Sequence, residues 1–137
     1  MEAAHGYFEH GADIGIIGRG TTLEEAFVSA ARAMFAIQTD LDPVRPHEAI
    51  ELDFEENDAE LALVRWLNAL LAASRERGMV FCDFGLAREG DRWRGWARGE
   101  RWRDALVRGT EVKGATLTML KVARGAAGCE ARCVVDV

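Results

Sequence analysis

The sequence predicts a single α+β domain over residues 1–137, with two helices packed on an antiparallel or mixed β-sheet system in the order β-α-β-α-β-β-β-β. Three features carry that reading. Apolar residues recur at three- and four-residue intervals in two segments, Leu23 to Phe35 and Leu61 to Leu71, as one face of a helix requires. Between them Ile50, Leu52 and Phe54 alternate with Glu51, Asp53 and Glu55, the period of a strand with one wet face. Beyond Met79 the pattern is strand and turn, and single strands between helices followed by a run of strands place the helices over the sheets.

Taken in order, Ile14 to Ile17 is a short apolar strand closed by Gly18, Gly20 and Thr21-Thr22. Thr22 and Glu25 have the spacing of a capping box and start a helix whose stripe is Leu23, Ala26, Phe27, Ala30, Ala31, Met34 and Phe35, running to about Gln38. Thr39 to Pro43 is a loop carrying Asp40 and Asp42, because Pro43 cannot continue the helix. After the strand that ends near Glu56, Asn57 or Asp58 caps the second helix. Its inner stripe is Leu61, Val64, Leu67 and Leu71, broadened by Leu63, Trp66 and Leu70, and Gly78 suits its C-terminal cap. Val80, Cys82 and Phe84 begin the next strand, Glu89-Gly90-Asp91 is a turn, and Arg92 to Arg98 returns. Glu111 to Val122 reads as one long strand, and Gly125 to Gly128 turns into Glu130 to Val137.

Composition narrows the class. A chain that is 49% apolar is too rich in core formers for disorder, and at this length folding buries roughly two-thirds of the unfolded surface, so neither disulfide nor structural metal is required. No apolar run approaches the ~20 residues of a membrane span. Glu2, Glu9 and Asp13 stand where a signal peptide would be basic and then apolar, so a cytoplasmic protein is expected. The three cysteines agree with reduced thiols; Cys129 and Cys133 share a strand face but have no second Cys or His pair at zinc spacing. Residues 1–60 hold three Arg against fourteen Asp and Glu, a balance of −11, whereas residues 61–137 hold fourteen Lys and Arg against nine acids, a balance of +5. The acidic half disfavours tight binding of a phosphate backbone. Between Arg88 and Arg108 seven arginines interleave with Trp93, Trp96 and Trp102, but Glu89, Asp91, Glu100 and Asp104 dilute their field. A solvated strand face with Trp in the core is the first reading there, a protein interface the second, and RNA the third.

Two acidic constellations stand out. Phe8-Glu9-His10-Gly11-Ala12-Asp13 crowds carboxylates and an imidazole around the first strand, and Asp136 followed by Val137 interrupts the closing apolar run. Hard cations take oxygen ligands from distant parts of a chain. If the last strand lies beside the first, Asp13, Asp136 and the Val137 carboxylate converge, with Asp40 and Asp42 able to close the site from their loop; spacing alone equally leaves these acids solvated. Phosphate-loop, dinucleotide, zinc-protease and nucleophile-elbow patterns are missing, so no catalytic residue is assigned.

Five stretches together resemble the archease family: Tyr7-Phe8-Glu9-His10-Gly11-Ala12-Asp13-Ile14-Gly15-Ile16, Thr22-Leu23-Glu24-Glu25-Ala26-Phe27, Trp66-Leu67-Asn68 within the second helix, Thr110 to Thr116, and Val134-Val135-Asp136-Val137. They occur in the family's order and span essentially the whole chain. The resemblance implies a cytoplasmic accessory protein, not itself an enzyme, that activates the GTP-dependent tRNA-splicing RNA ligase by promoting its guanylylation and repeated turnover, with RNA met only through the ligase. It also implies a divalent cation, Ca²⁺ in preference to Mg²⁺ or Mn²⁺, on Asp13, Asp136 and Val137, with Asp40 a further acidic contributor and His10 and Glu9 around it. The departures are Gly11 where a Thr is usual, Lys113-Gly114-Ala115-Thr116-Leu117-Thr118 without the usual Tyr and His, and Ala105 to Arg108 in place of an Arg-His pair. The alternative is a stand-alone metal-dependent phosphoesterase or nucleotide-binding module on the same acids.

Overall fold

Eight strands and two helices form within residues 4–137, the part of the chain that the computed structural model describes. They are β1 (His5–His10), β2 (Asp13–Gly20), α1 (Leu23–Gln38), β3 (Glu48–Glu55), α2 (Ala59–Arg77), β4 (Met79–Glu89), β5 (Arg92–Arg101), β6 (Gly114–Ala115), β7 (Lys121–Gly125) and β8 (Gly128–Asp136). One sheet has the order β1-β2-β8-β6, with β7 pairing on the same edge of β8 as β6 but further back along it. The other has the order β3-β5-β4, and every pairing is antiparallel. The α+β class is as expected, and two details of the strands differ.

The polar segment 5–10 is itself a strand. It forms a hairpin with β2 across Gly11-Ala12, where Gly11 takes φ +59°, the left-handed backbone that such a tight turn needs at its first position. The Tyr7 hydroxyl donates to the Ala33 carbonyl of α1 at 2.8 Å, which pins this edge strand to the helix. Segment 111–122, read as one strand, is broken into β6 and β7. Thr116 turns its N–H and its hydroxyl to Val134 O at 3.0 and 2.8 Å, and Met119 adopts φ +54°, which no continuing strand tolerates.

The helix ends follow their local chemistry. Thr22 Oγ1 accepts the Glu25 N–H at 3.1 Å, and the Glu25 carboxylate takes the Thr21 hydroxyl proton. Asp58 caps α2 by accepting from Glu60 and Leu61 N–H at 2.9 and 3.0 Å, and Gly78 ends it at φ +63°. The buried face of α2 is turned from the expected stripe: Ala62, Leu63, Trp66, Leu67, Leu70 and Leu71 are inside, while Leu61 is 42% exposed and Val64 only partly covered. Trp66 sets that rotation. Its ring lies over Gly95 of β5, and its indole N–H donates to Phe27 O of α1 at 3.0 Å.

Helix α1 is apolar almost all round because it lies against β1, β2 and β8 of one sheet and β4 of the other. Its alanines, Ala26, Ala30, Ala31 and Ala33, are wholly buried and let the backbones approach. At Gly18 of β2 a Cβ would collide with the Ala26 carbonyl oxygen and the Ala30 nitrogen of the helix main chain. Beyond α1 the core continues through Phe27 stacked on Trp93 at 5.1 Å and Trp93 on Phe54 at 6.0 Å. The loop after α1 is latched by Glu100, whose carboxylate accepts from Arg45 N–H at 2.6 Å and Arg103 Nε at 2.7 Å. Arg103 also donates to Pro43 O at 3.1 Å, which extends the latch along the loop.

Two outcomes follow. Gly18→Ala is expected to destabilise the protein by about 3 kcal/mol, read as a lower urea midpoint, because helix and strand backbones have no flexible atom to move aside. Burial raises the Glu100 pKa, but the Arg103 and Arg45 hydrogen bonds and their charges outweigh it and hold the carboxyl below its ordinary value of 4.5. A folded pKa below the unfolded one gives stability that is fully present above pH ~4.5 and is lost as pH falls through the folded value. The stability gap between wild type and Glu100→Gln, measured by urea unfolding, is therefore expected to be constant from pH 6 to 7 on a roughly neutral plateau and to shrink steadily below pH ~4.5.

Candidate functional site at the meeting of the first and last strands

The pairing of β2 with β8 sets Ile14 opposite Val135, Ile16 opposite Cys133 and Gly18 opposite Ala131. These residues face α1, and Ile16, Val135, Cys133 and Ala131 are 0% exposed. Side chains alternate along a strand, so Asp13, Gly15 and Ile17 lie on the opposite face with Asp136, Val134 and Arg132. One step beyond Ile14 and Val135, the same register places Asp13 opposite Asp136. The last residue closes the contact: the Val137 N–H donates to Asp13 Oδ1 at 3.3 Å.

A full row crosses the end of the sheet. His10 pairs with Asp13 across the β1–β2 hairpin, and Asp136 pairs with Gly114 of β6. His10, Asp13 and Asp136 thus share the face away from α1, with the Phe8 ring lying across Gly15 in the next row, where a Cβ would collide with it. Neighbouring strands are about 4.8 Å apart, so the His10 main chain stands about 10 Å from that of Asp136, with Asp13 between them in the row. Among the described residues no three His, Cys, Asp or Glu side chains gather as a metal site.

The structure brings Val137 to Asp13, sets Asp136 on the strand beside Asp13 and His10 across the hairpin from it, and leaves Asp40 and Glu9 elsewhere. Asp40 is exposed and turns back on its own loop, Oδ1 accepting from Asp42 N–H at 3.1 Å. Glu9 pairs with Ile14 and so points to the opposite side of β1 from His10. Segment 112–115 is a neighbour that residue spacing did not single out. Lys113 N–H donates to Asp136 O at 2.8 Å, and the only forward signal was the Thr110 to Thr116 stretch of the family resemblance.

The arginine and tryptophan strand is a charged outer face. On β5, Trp93 points into the core, whereas Arg92, Arg94, Trp96 and Arg98 point out beside Asp53, Glu51 and Asp83 of its neighbours. Arg92 pairs with Asp53 at 2.9 Å, Arg98 lies 4.0 Å from Asp83, and its guanidinium stacks over Trp96 at 4.4 Å. Acids on both flanking strands offset the basic stripe. The three cysteines are free thiols. Burial pushes Cys133 up to about 12 and, with Asp83 beside it, raises Cys82, whereas Cys129 is half-buried near Thr21 O. No described helix is long and apolar enough to cross a membrane.

Fold and site define a small two-sheet α+β protein whose second and last strands carry a pair of carboxylates on the face of the larger sheet turned away from α1. The chain belongs to the Archease protein family (MTH1598/TM1083), whose model matches residues 5–137. The archease of Methanopyrus kandleri is 37% identical over 134 residues, covering 94% of this chain and 96% of that protein. That of Thermococcus gammatolerans is 43% identical over 77 residues, and in this match the chain spans 54% of the relative's length. Among solved structures, protein 1598 of Methanobacterium thermoautotrophicum matches with a TM-score of 0.83 at 27% identity over 98% of this chain and 99% of that one. The structure of an archease, possible chaperone, from Thermotoga maritima shares the fold with a TM-score of 0.65 at 21% identity over 95% and 94%.

Thiol chemistry offers a direct check of the core. At pH 8 an aromatic disulfide reagent is expected to titrate Cys129 in the native protein while Cys133 and Cys82 stay silent, and all three are expected to react in urea. Rapid native reaction at Cys133 would contradict its burial between β8 and α1.

Proposed function

We propose that this protein is an accessory activator of a GTP-dependent RNA ligase, not a catalyst in its own right, and that the Asp13–Asp136 pair is the site it presents to the ligase. The observation that carries the reading is the β2–β8 register, which sets the two acids of the family resemblance on neighbouring strands and one sheet face, Asp136 exposed and Asp13 partly so. Paired carboxylates on a rigid sheet form a negative site whose spacing is fixed before a partner arrives, and preorganisation of this kind lowers the cost of association.

The same residues support a hard divalent cation. Asp13, Asp136 and the main chain at Val137 offer oxygen only, which suits Ca²⁺ and excludes the soft-metal preference of thiolates. Two side-chain carboxylates fall short of the about six to eight oxygens that Ca²⁺ takes, so water and main-chain carbonyls complete its shell. A bound cation would supply positive charge that holds the two acids together and offers open positions to a phosphate or carboxylate. Asp13 and Asp136 would hold it; the Val137 N–H on Asp13 Oδ1 fixes one carboxylate.

The test is multiple-turnover joining of 3′-phosphate and 5′-hydroxyl RNA ends by the ligase from the same source. Wild type is expected to accelerate turnover, and Asp13→Asn and Asp136→Asn to lose most of that acceleration. Both variants are expected to keep stability within about 1 kcal/mol, because Asn still accepts a hydrogen bond and neither side chain lies in the core. Absence of stimulation by the wild-type protein would end the proposal.

A further inference from the structure

The acid pair is held from two sides, and only one of them is the β2–β8 ladder. The other is β6, a strand of two residues, Gly114–Ala115, that pairs with Asp136 and Val135. Two residues cannot keep themselves in a sheet; a strand this short needs partners on its free edge. Helix α2 supplies them through two side chains.

The Asn68 carboxamide makes both bonds that a neighbouring strand would make to Ala115. Its Nδ2 donates to Ala115 O at 3.2 Å, and its Oδ1 accepts the Ala115 N–H at 2.8 Å. Seven residues on, about two helical turns along the same face, the Arg75 guanidinium donates to Val112 O at 2.8 Å and Lys113 O at 2.5 Å. Between these two grips lies Lys113, whose N–H donates to Asp136 O at 2.8 Å. Asn68 and Arg75 are exposed residues of α2, so they contribute these four bonds and little packing. Neither is among the acids of the site.

We propose that Asn68 and Arg75 are positioning residues for the acid pair: from α2 they clamp residues 112–115 against the end of β8 and thereby hold Asp136 and Val137 against Asp13. The idea rests on the acid pair being the functional site, but the clamp has its own observable. Without it the last residues of β8 would be held on one edge only and would fray, and the Val137 N–H would leave Asp13 Oδ1. It also makes α2 a lever, since a partner that shifts this helix changes the spacing of the two carboxylates without touching them.

The experiment compares wild type with Asn68→Leu and Arg75→Met, with Asn68→Ser and Arg75→Lys as milder partners. Amide hydrogen exchange is followed by NMR, and Ca²⁺ binding by calorimetric titration with CaCl₂ alone. Exchange at Lys113 and Val137 is expected to quicken about tenfold in Asn68→Leu and Arg75→Met, while Phe35 in α1 and Cys133 in mid-β8 keep wild-type protection. Ca²⁺ affinity is expected to fall about tenfold, and Arg75→Lys, which keeps a cationic donor on a shorter reach, to recover part of both effects. Unchanged exchange at Lys113 and Val137 overturns the clamp whatever the titration shows. Quickened exchange with undiminished Ca²⁺ affinity overturns the positioning role and leaves Asn68 and Arg75 as edge supports. If wild type takes no Ca²⁺, the cation reading fails by itself, and exchange at Val137 alone decides whether α2 holds the acids together.

Discussion

The pairing of β2 with β8 joins residues more than a hundred positions apart, and most of the larger sheet is arranged around it. Both strands are central, each with a further strand on its other side, so neither can shift without breaking two ladders. A slip of one residue in either strand would carry its inward residues, Ile16 of β2 or Cys133 and Val135 of β8, to the face away from α1 and bring its acid, Asp13 or Asp136, under the helix, exchanging wholly buried apolar surface for buried charge. The register is thus fixed by burial on the helix side, and the placement of the acids on the other side is its consequence. The geometry at this end of the molecule is inherited from the core.

Helix α1 enforces the same constraint from within. A helix of ordinary side-chain size could not lie this close to β2, since at Gly18 even one methyl group meets main chain on the helix. Alanine on the helix and glycine on the strand are two halves of one contact, and they bring Phe27, Met34 and Phe35 deep enough to reach the second sheet. Phe27 stacks on Trp93 of β5, and Phe35 meets Phe81 of β4 edge to face at 5.5 Å. Both helices bridge the sheets: α1 touches β1, β2 and β8 of one and β4 of the other, and α2 touches β6, β7 and β8 of one and β3 and β4 of the other. Trp66 closes the assembly by joining α2 to α1 through its hydrogen bond to Phe27 O.

What the sequence makes legible is what local chemistry decides. Thr22 with Glu25, Asp58 and Gly78 mark helix ends because each satisfies backbone groups within a few residues of itself. The alternation at Ile50 to Glu55 identifies β3 because one face of it is wet. The misread parts are those that distant residues decide. β1 is polar and becomes a strand because β2 pairs with it and Ala33 takes the Tyr7 proton. The rotation of α2 that exposes Leu61 follows from the gap at Gly95 into which Trp66 fits, and nothing within the helix announces that gap. The site divides in the same way. Asp13 and Asp136 are visible as misplaced acids in apolar company, but Asn68 and Arg75 look like any exposed polar residues of a helix until their bonds to residues 112–115 are seen.

The three departures from the family pattern fall where they leave the acid pair intact. Gly11 sits at the tip of the β1–β2 hairpin with φ +59°, and the Asp13–His10 pairing beside it depends on that turn being tight, not on any side chain at 11. Leu117 and Thr118 lie between β6 and β7; Thr118 O accepts from Val134 N–H and Thr116 N–H donates to Val134 O, main-chain bonds that any side chain at 117 and 118 permits. Residues 105–108 are tied to the far end of α1, where Thr39 donates its hydroxyl proton to Val107 O at 2.6 Å. These positions lie in turns and loops, Leu106 alone among them buried, while the ladder that spaces the carboxylates is made of main-chain bonds and buried apolar contacts. A partner meeting this face would find Leu117, 64% exposed, and Thr118 where the resemblance leads one to expect Tyr and His. Divergence of that kind alters which surface is recognised more readily than it alters what the acid pair can do once the surfaces have met.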